Sequence, residues 1–303
     1  MSQERLLDMV ISVMLTAGYE VSERCSLRPR SFDLIAGKRG VLLVIKVVSH
    51  IDSVSEEISC DLDAIARHLG ASPLIIGERA RDADLERGTV YVRYGIYAIS
   101  PATLYDFLVE AVPPLIYAQP GGLYVNINGD MLKGLRERSQ LSLGDLARHL
   151  GVSRRTISKY EDGMSTTLDV AIQLEELFDE AVVEAIDLLS YIPAPPEARD
   201  PATASVPADF ERMGIEIHQM RRAPFQALAV IQEERILTCF GTAQKTVKRA
   251  ALIGNISQVA GAYAMCVISD YTKKKRIGRT LVIGEEQLRT LEDGSDLIEM
   301  IHQ

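Results

Sequence analysis

Apolar residues at positions 6, 7, 10, 11, 14 and 15 (Leu6, Leu7, Val10, Ile11, Met14 and Leu15) recur at the helical period. They predict an amphipathic helix over residues 3–17, closed by Gly18. Residues 19–25 and 31–37 alternate weakly and predict strands. Gly40 then opens VLLVIKVV, a β-branched apolar run of the kind a buried central strand requires. Ile58, Leu62, Ile65 and Leu69 share one face of a helix over 52–69. Short apolar runs at 73–76 and 89–92 predict two more strands, and Pro101 starts a helix reaching about residue 112. The order α-β-β-β-α-β-β-α predicts an α/β sandwich over residues 1–115.

The pattern then changes. Residues 113–128 are a Pro/Gly connector with one strand at 123–127. Between Ser142 and Gly163 two short helices meet at a tight turn. Ser142 and Asp145 have capping-box spacing, Leu146, Ala147 and Leu150 share a face, and Gly151 supplies the turn. Ser153 caps the second helix, with Ile157 and Tyr160 inward and Arg154, Arg155, Ser158 and Lys159 outward. Further helices are predicted over 131–138, 168–178 and 180–189, the last burying Val182, Val183, Ile186 and Leu189. Around it lie Glu175, Glu176, Asp179, Glu180, Glu184 and Asp187, a face that phosphates would repel. It reads either as a solvated surface or as a partner surface.

Residues 190–209 hold five prolines among alanines and predict an extended linker. Past it, 225–232 and 235–241 read as strands, 246–260 as a helix, 263–268 as a strand, 280–283 as another and 285–291 as a helix. A basic loop, Lys273 to Arg279, precedes the last strand, and reads as a solvated loop or a supplementary phosphate contact. This order repeats that of residues 32–109, with Phe225-Gln226 where the first has Phe32-Asp33. The C-terminal unit, 210–303, is therefore either a degenerate second copy of the first or an unrelated small α/β domain.

Composition narrows the possibilities. A chain of 303 residues with 47% apolar and 25% charged content can bury two or three cores. No apolar run has membrane-span length and the N-terminus lacks a signal-peptide plan, which predicts a cytoplasmic protein. Cys25, Cys60, Cys239 and Cys266 form no CxxC pair and predict buried free thiols. No cofactor motif is present. Net charge is −9, yet residues 131–163 carry seven bases against four acids. A local basic face on an acidic chain suits selective duplex binding.

Residues 130–178 resemble the lambda-repressor-like, Cro-type helix–turn–helix domain. The resemblance implies a second helix laid in the DNA major groove. Arg154, Arg155 and Lys159 would meet base edges, with Ser158 on the same face; Ser153 and Thr156 would meet phosphates. Where that family has a phosphate-binding glutamine, this chain has Leu143.

The first α/β unit resembles the restriction-endonuclease-like PD-(D/E)XK fold. That family holds a divalent metal with an aspartate and an acid-X-lysine triplet. Here Asp33 and Lys46 match, but the triplet's acid position is Val44, which implies no metal site and no enzyme.

Together the parts resemble the helix–turn–helix transcriptional regulators of archaea. The expected architecture is α/β plus all-α: an inactive nuclease-like domain (1–115), a Cro-type domain (116–189), a linker (190–209) and a small α/β domain (210–303). The expected function is sequence-specific binding of double-stranded DNA, as a homodimer, to regulate transcription. A DNA-targeted nuclease and an adaptor joining DNA to the transcription machinery are the alternatives.

Overall fold

The computed structural model describes residues 2–191 and 208–302, apart from 29, 82, 270, 272 and 273. Most of the expected linker therefore lies outside the described residues, as does Lys273.

The N-terminal unit comprises α1 (Gln3–Thr16), β1 (Glu20–Val21), β2 (Leu34–Lys38), β3 (Val41–His50), α2 (Glu56–Leu69), β4 (Ser72–Ala80), β5 (Ala83–Asp84), β6 (Thr89–Arg93), β7 (Ile96–Ile99) and α3 (Pro101–Leu108). Its main sheet runs β1-β2-β3-β4-β7-β6. The β3–β4 and β4–β7 pairs are parallel and the others antiparallel. β3 is central and its apolar run is covered on both faces. Leu43, Ile45 and Val47 face the α1 side, and Val44 and Val48 face the α2 side.

The middle unit begins with a hairpin, β8 (Ile116–Gln119) and β9 (Gly122–Ile127), turning on Gly121 and Gly122, both at positive φ. It continues with α4 (Gly129–Arg138), α5 (Leu143–His149), α6 (Arg154–Glu161), β10 (Thr166–Thr167), α7 (Leu168–Phe178) and β11 (Val183–Glu184). β8 pairs parallel to β6, so the first sheet continues into this unit. The expected connector is thus a hairpin that joins the two units through backbone hydrogen bonds. Ile186 N–H also donates to Pro114 O at 2.8 Å.

The expected helix over 180–189 is absent. Val183–Glu184 pairs with β9, and the buried residues are Val182, Ile186 and Leu188, the even-numbered set of an extended chain. Glu175 diverts this segment from helix by accepting from Val182 N–H at 2.9 Å and Val183 N–H at 3.3 Å. Other acids of the expected face are also engaged: Glu180 pairs with Arg138 at 3.2 Å and Asp187 accepts from Leu189 N–H at 2.8 Å.

The C-terminal unit comprises α8 (Ala208–Arg212), β12 (Glu216–Gln219), β13 (Ala227–Ile231), β14 (Glu234–Gly241), α9 (Ala243–Ala260), β15 (Tyr263–Ile268), β16 (Lys275–Ile277), β17 (Thr280–Gly284), α10 (Glu285–Arg289) and α11 (Gly294–His302). Its sheet runs β12-β13-β14-β15-β17-β16, the same order and strand senses as the first. The equivalence extends to single hydrogen bonds. Asp33 N–H donates to Ile45 O at 2.8 Å, and Gln226 N–H to Thr238 O at 2.9 Å. Asp33 Oδ2 accepts from Val47 N–H at 2.8 Å, and Gln226 Oε1 from Phe240 N–H at 2.7 Å.

The two α/β units share a core between their sheets. Leu62, Ile65 and Ala66 of α2 and Ala250, Ile253 and Ile256 of α9 belong to one buried cluster. At its centre the equivalent residues Phe32 and Phe225 meet with ring centroids 6.4 Å apart. Arg222 ties the rim to Asp61 at 3.0 Å and to Glu57, and its carbonyl accepts from Ser31 N–H at 2.7 Å. His68 and His218 stack across the same boundary, 3.5 Å between centroids. Cys25, Cys239 and Cys266 are buried free thiols; Cys60 is half-buried. Among the described residues no helix is long and apolar enough to cross a membrane.

Candidate nucleic-acid interface and nuclease-like site

The two helices α5 and α6 form as their caps dictate. Ser142 Oγ accepts from Asp145 N–H and Asp145 Oδ2 accepts from Ser142 N–H, both at 3.1 Å. Hydrogen bonds from the Ser142 hydroxyl and then its backbone hold the exposed Asp145 carboxyl below its ordinary range. Gly151 takes φ +65° in the turn, a conformation that strains other residues. Ser153 caps α6, accepting from Thr156 N–H at 3.1 Å and sharing a hydrogen bond with Thr156 Oγ1 at 2.8 Å. Those two hydroxyls are therefore already engaged with each other.

Ile157 and Tyr160 anchor α6 in a core with Leu132, Leu146, Leu150 and Leu174. Arg136 of α4 clamps its far end, with Nε to Glu161 Oε1 at 2.5 Å, Nη2 to Oε2 at 3.1 Å and Nη1 to Leu141 O at 3.1 Å. Gly129 lies so close to α6 that a Cβ there would sit 2.2 Å from Glu161 O. Opposite this packed side, Ser153, Arg154, Arg155, Ser158 and Lys159 are exposed and Thr156 is half-buried. Arg154, Arg155 and Lys159 form no ion pair among the described residues. The Arg154 guanidinium lies over Gly144 of α5. The structure thus brings all six residues onto one rigid helix, at and after its N-terminus.

The basic stretch near the C-terminus is different. Arg276 donates to Ile301 O and Lys275 lies over the Tyr271 ring at 5.8 Å, so both contact their own unit.

At the nuclease-like position, Asp33 and Lys46 come together and Val44 is sealed in the core. Asp33 is 1% exposed. Its Oδ1 accepts from Arg30 Nε at 2.7 Å. Its Oδ2 accepts from Val47 N–H and lies 3.4 Å from Lys46 Nζ. A divalent cation needs several oxygen ligands. Here the single carboxylate is spent on two cations and an amide, so the residues present do not fit the metal of the fold family. Among the described residues no cluster of three or more His, Cys, Asp or Glu could hold a metal. Arg30 was not foreseen from the sequence, although Arg28 and Arg30 directly precede Phe32-Asp33.

These features define a helix–turn–helix protein built onto a nuclease-type α/β fold. Residues 3–114 match the PD-(D/E)XK superfamily domain and residues 129–187 match a helix-turn-helix domain. The chain is 64% identical to a protein of Methanoculleus marisnigri over the whole of both chains. It is 63% identical to one of Methanosphaerula palustris over 99% of each. A protein of Methanocella arvoryzae is 38% identical, covering 99% of this chain and 96% of its own. Each bears the name "Putative HTH-type transcriptional regulatory protein". The chain belongs to this family of archaeal HTH-type transcriptional regulatory proteins. No solved structure matches it.

Proposed function

We propose that the chain binds specific duplex DNA sequences through α6 and so regulates transcription. The observation that carries this is the row of exposed cations Arg154, Arg155 and Lys159, unpaired among the described residues, on a helix whose other side is locked into a core. In this reading, which treats the unit as Cro-type, these three meet base edges, with Ser158 between them. Ser153 and Thr156 lie by the phosphates at the helix N-terminus. The division into 1–115, 116–189, 190–209 and 210–303 is part of the same reading. So are a cytoplasmic location, a partner in the transcription machinery and a homodimer placing two reading helices about 34–36 Å apart. Arg155→Ala tests the assignment: specific affinity should fall by about 1–3 kcal/mol, with relaxed preference at one position. Unchanged affinity and unchanged base preference in a binding assay refute it.

The chain is not an enzyme in this reading, because Asp33 is neutralised by Arg30 and Lys46 and Val44 offers no ligand. Incubation with duplex, single-stranded and branched DNA plus magnesium or manganese should leave all three intact. Cleavage abolished by Lys46→Ala would reinstate the nuclease alternative.

A further inference from the structure

Cations gather at the position where the fold family holds its metal. A pocket of about 510 Å³ is lined by Gln3, Arg28, Arg30 and Lys46. Gln3 opens α1, the two arginines come from the segment before β2, and Lys46 lies on β3. Three cations surround one buried carboxylate, Asp33, leaving two positive charges in excess. Their donors are only partly used. Lys46 is 7% exposed, yet among the described residues its ammonium has only Asp33 Oδ2 at 3.4 Å and Arg30 O at 3.5 Å. Arg30 spends Nε on Asp33, and its two terminal nitrogens meet no acceptor among the described residues. Arg28 has no partner among them. Gln3 spends one amide hydrogen on Val47 O at 3.2 Å and keeps the other. A buried ammonium with unspent donors, as at Lys46, is costly unless an anion completes it. This ion cluster is not repeated in the second α/β unit, where Ala223 stands for Arg30, Gln226 for Asp33 and Cys239 for Lys46.

We propose that this pocket binds a phosphate group where nuclease relatives of the fold bind a divalent cation. The arginine forks match phosphate oxygens two at a time, and the ammonium supplies a point charge beneath them. The first turn of α1 adds its partial positive charge. The volume lies within the range of small-ligand sites, about 300–1,000 Å³, and exceeds what orthophosphate fills. The phosphate belongs either to a free small molecule or to the DNA backbone.

Calorimetry of the full chain with sodium pyrophosphate, in chelator and without metal, tests the first source. Salt dependence of duplex binding tests the second. Arg28 is exposed and has no partner among the described residues, so Arg28→Glu and Arg28→Gln should leave the melting temperature unchanged. Metal-free pyrophosphate binding that Arg28→Glu weakens by about tenfold or more assigns a free ligand. With no pyrophosphate binding, a fall of about one in the slope of log K against log salt for Arg28→Gln, base preference unchanged, assigns the backbone. The absence of both effects overturns the proposal. So does pyrophosphate binding that survives both Arg28→Glu and Lys46→Met, or that requires magnesium. Arg155→Ala, measured in parallel, separates failure of this site from failure of the DNA-binding reading, and the pyrophosphate measurement involves no DNA.

Discussion

Replacing Arg136 by methionine should loosen α6 without touching any of the six residues proposed to face DNA. The Arg136 and Glu161 side chains are only 11% and 10% exposed. Their two-pronged contact, with the third bond to Leu141 O, joins α4, the α4–α5 turn and the end of α6. Arg136→Met strands the Glu161 carboxylate and the Leu141 carbonyl. Breaking one side of a buried pair costs about 3–5 kcal/mol; the slight exposure here brings the expectation to about 3 kcal/mol. Glu161→Gln keeps a neutral acceptor and should cost about 1–2 kcal/mol. The double replacement by methionine should cost less than the sum of the two single methionine variants, because neither partner is left charged and alone. A chain of several units does not unfold in one step, so hydrogen exchange of the α6 amides is the suitable assay. Protection of Ile157 and Tyr160 should fall by about two orders of magnitude in Arg136→Met, taking each 1.4 kcal/mol as tenfold. Protection unchanged, or single losses that add fully in the double variant, would refute the clamp.

Two further outcomes are expected. Burial first, then His218 and Arg67, push the His68 imidazole down to about 4, with Asp63 opposing; burial also lowers His218 against the pull of Glu216. The unfolded chain therefore binds more protons than the folded one below pH 6.5, and the contact between the α/β units weakens as pH falls from about 6.5 to about 4. Such a shift in an enclosed group is worth about 3 kcal/mol, and solvent at the half-buried ring reduces it to about 1–2 kcal/mol. Denaturation across that window should show the loss, and His68→Phe should flatten it; an unchanged slope would contradict the assignment. Gly129→Ala puts a methyl 2.2 Å from the Glu161 carbonyl and should lower stability by about 1–3 kcal/mol, read as a drop in melting temperature. An unaltered melting temperature would show that α4 and α6 are not held at this spacing.

The helix–turn–helix was legible because several local signals coincide there. Capping residues, a turn glycine and a two-residue apolar anchor each need only a few neighbours in sequence. The run from Val41 to Val48 was legible for a similar reason, as a strand covered on both faces is apolar throughout. Segment 180–189 misled because Val182, Val183 and Ile186 also fit a helical period. What decides it is Glu175, seven residues away from Val182, taking two of the amides that a helix would use. In the hairpin at 116–127, β9 was legible because Leu123, Val125 and Ile127 alternate with Tyr124 and Asn126; β8 was not, and the partners β6, β10 and β11 come from other parts of the chain. Asp33 carried a signal that pointed two ways. As a metal ligand it lacks a companion, but as an acceptor for the Val47 amide it has a counterpart in Gln226, which does the same for Phe240 without any charge. That shared task is enough to keep an oxygen-bearing side chain at the position. The role of Arg30 could not be read, since nothing local says that its guanidinium folds back onto Asp33.

The Phe32–Phe225 contact has a consequence for stoichiometry. Two copies of one fold meet face to face within a single polypeptide, so their association does not weaken on dilution as that of separate subunits would. Each such pair nevertheless carries one α6. The ratio is two α/β units to one α6, and the internal near-symmetry cannot present two reading helices to a palindrome. If the site is the two-fold one proposed above, a second chain would supply the other, and it would join elsewhere, because the α2 and α9 faces are already filled by the chain's own second copy.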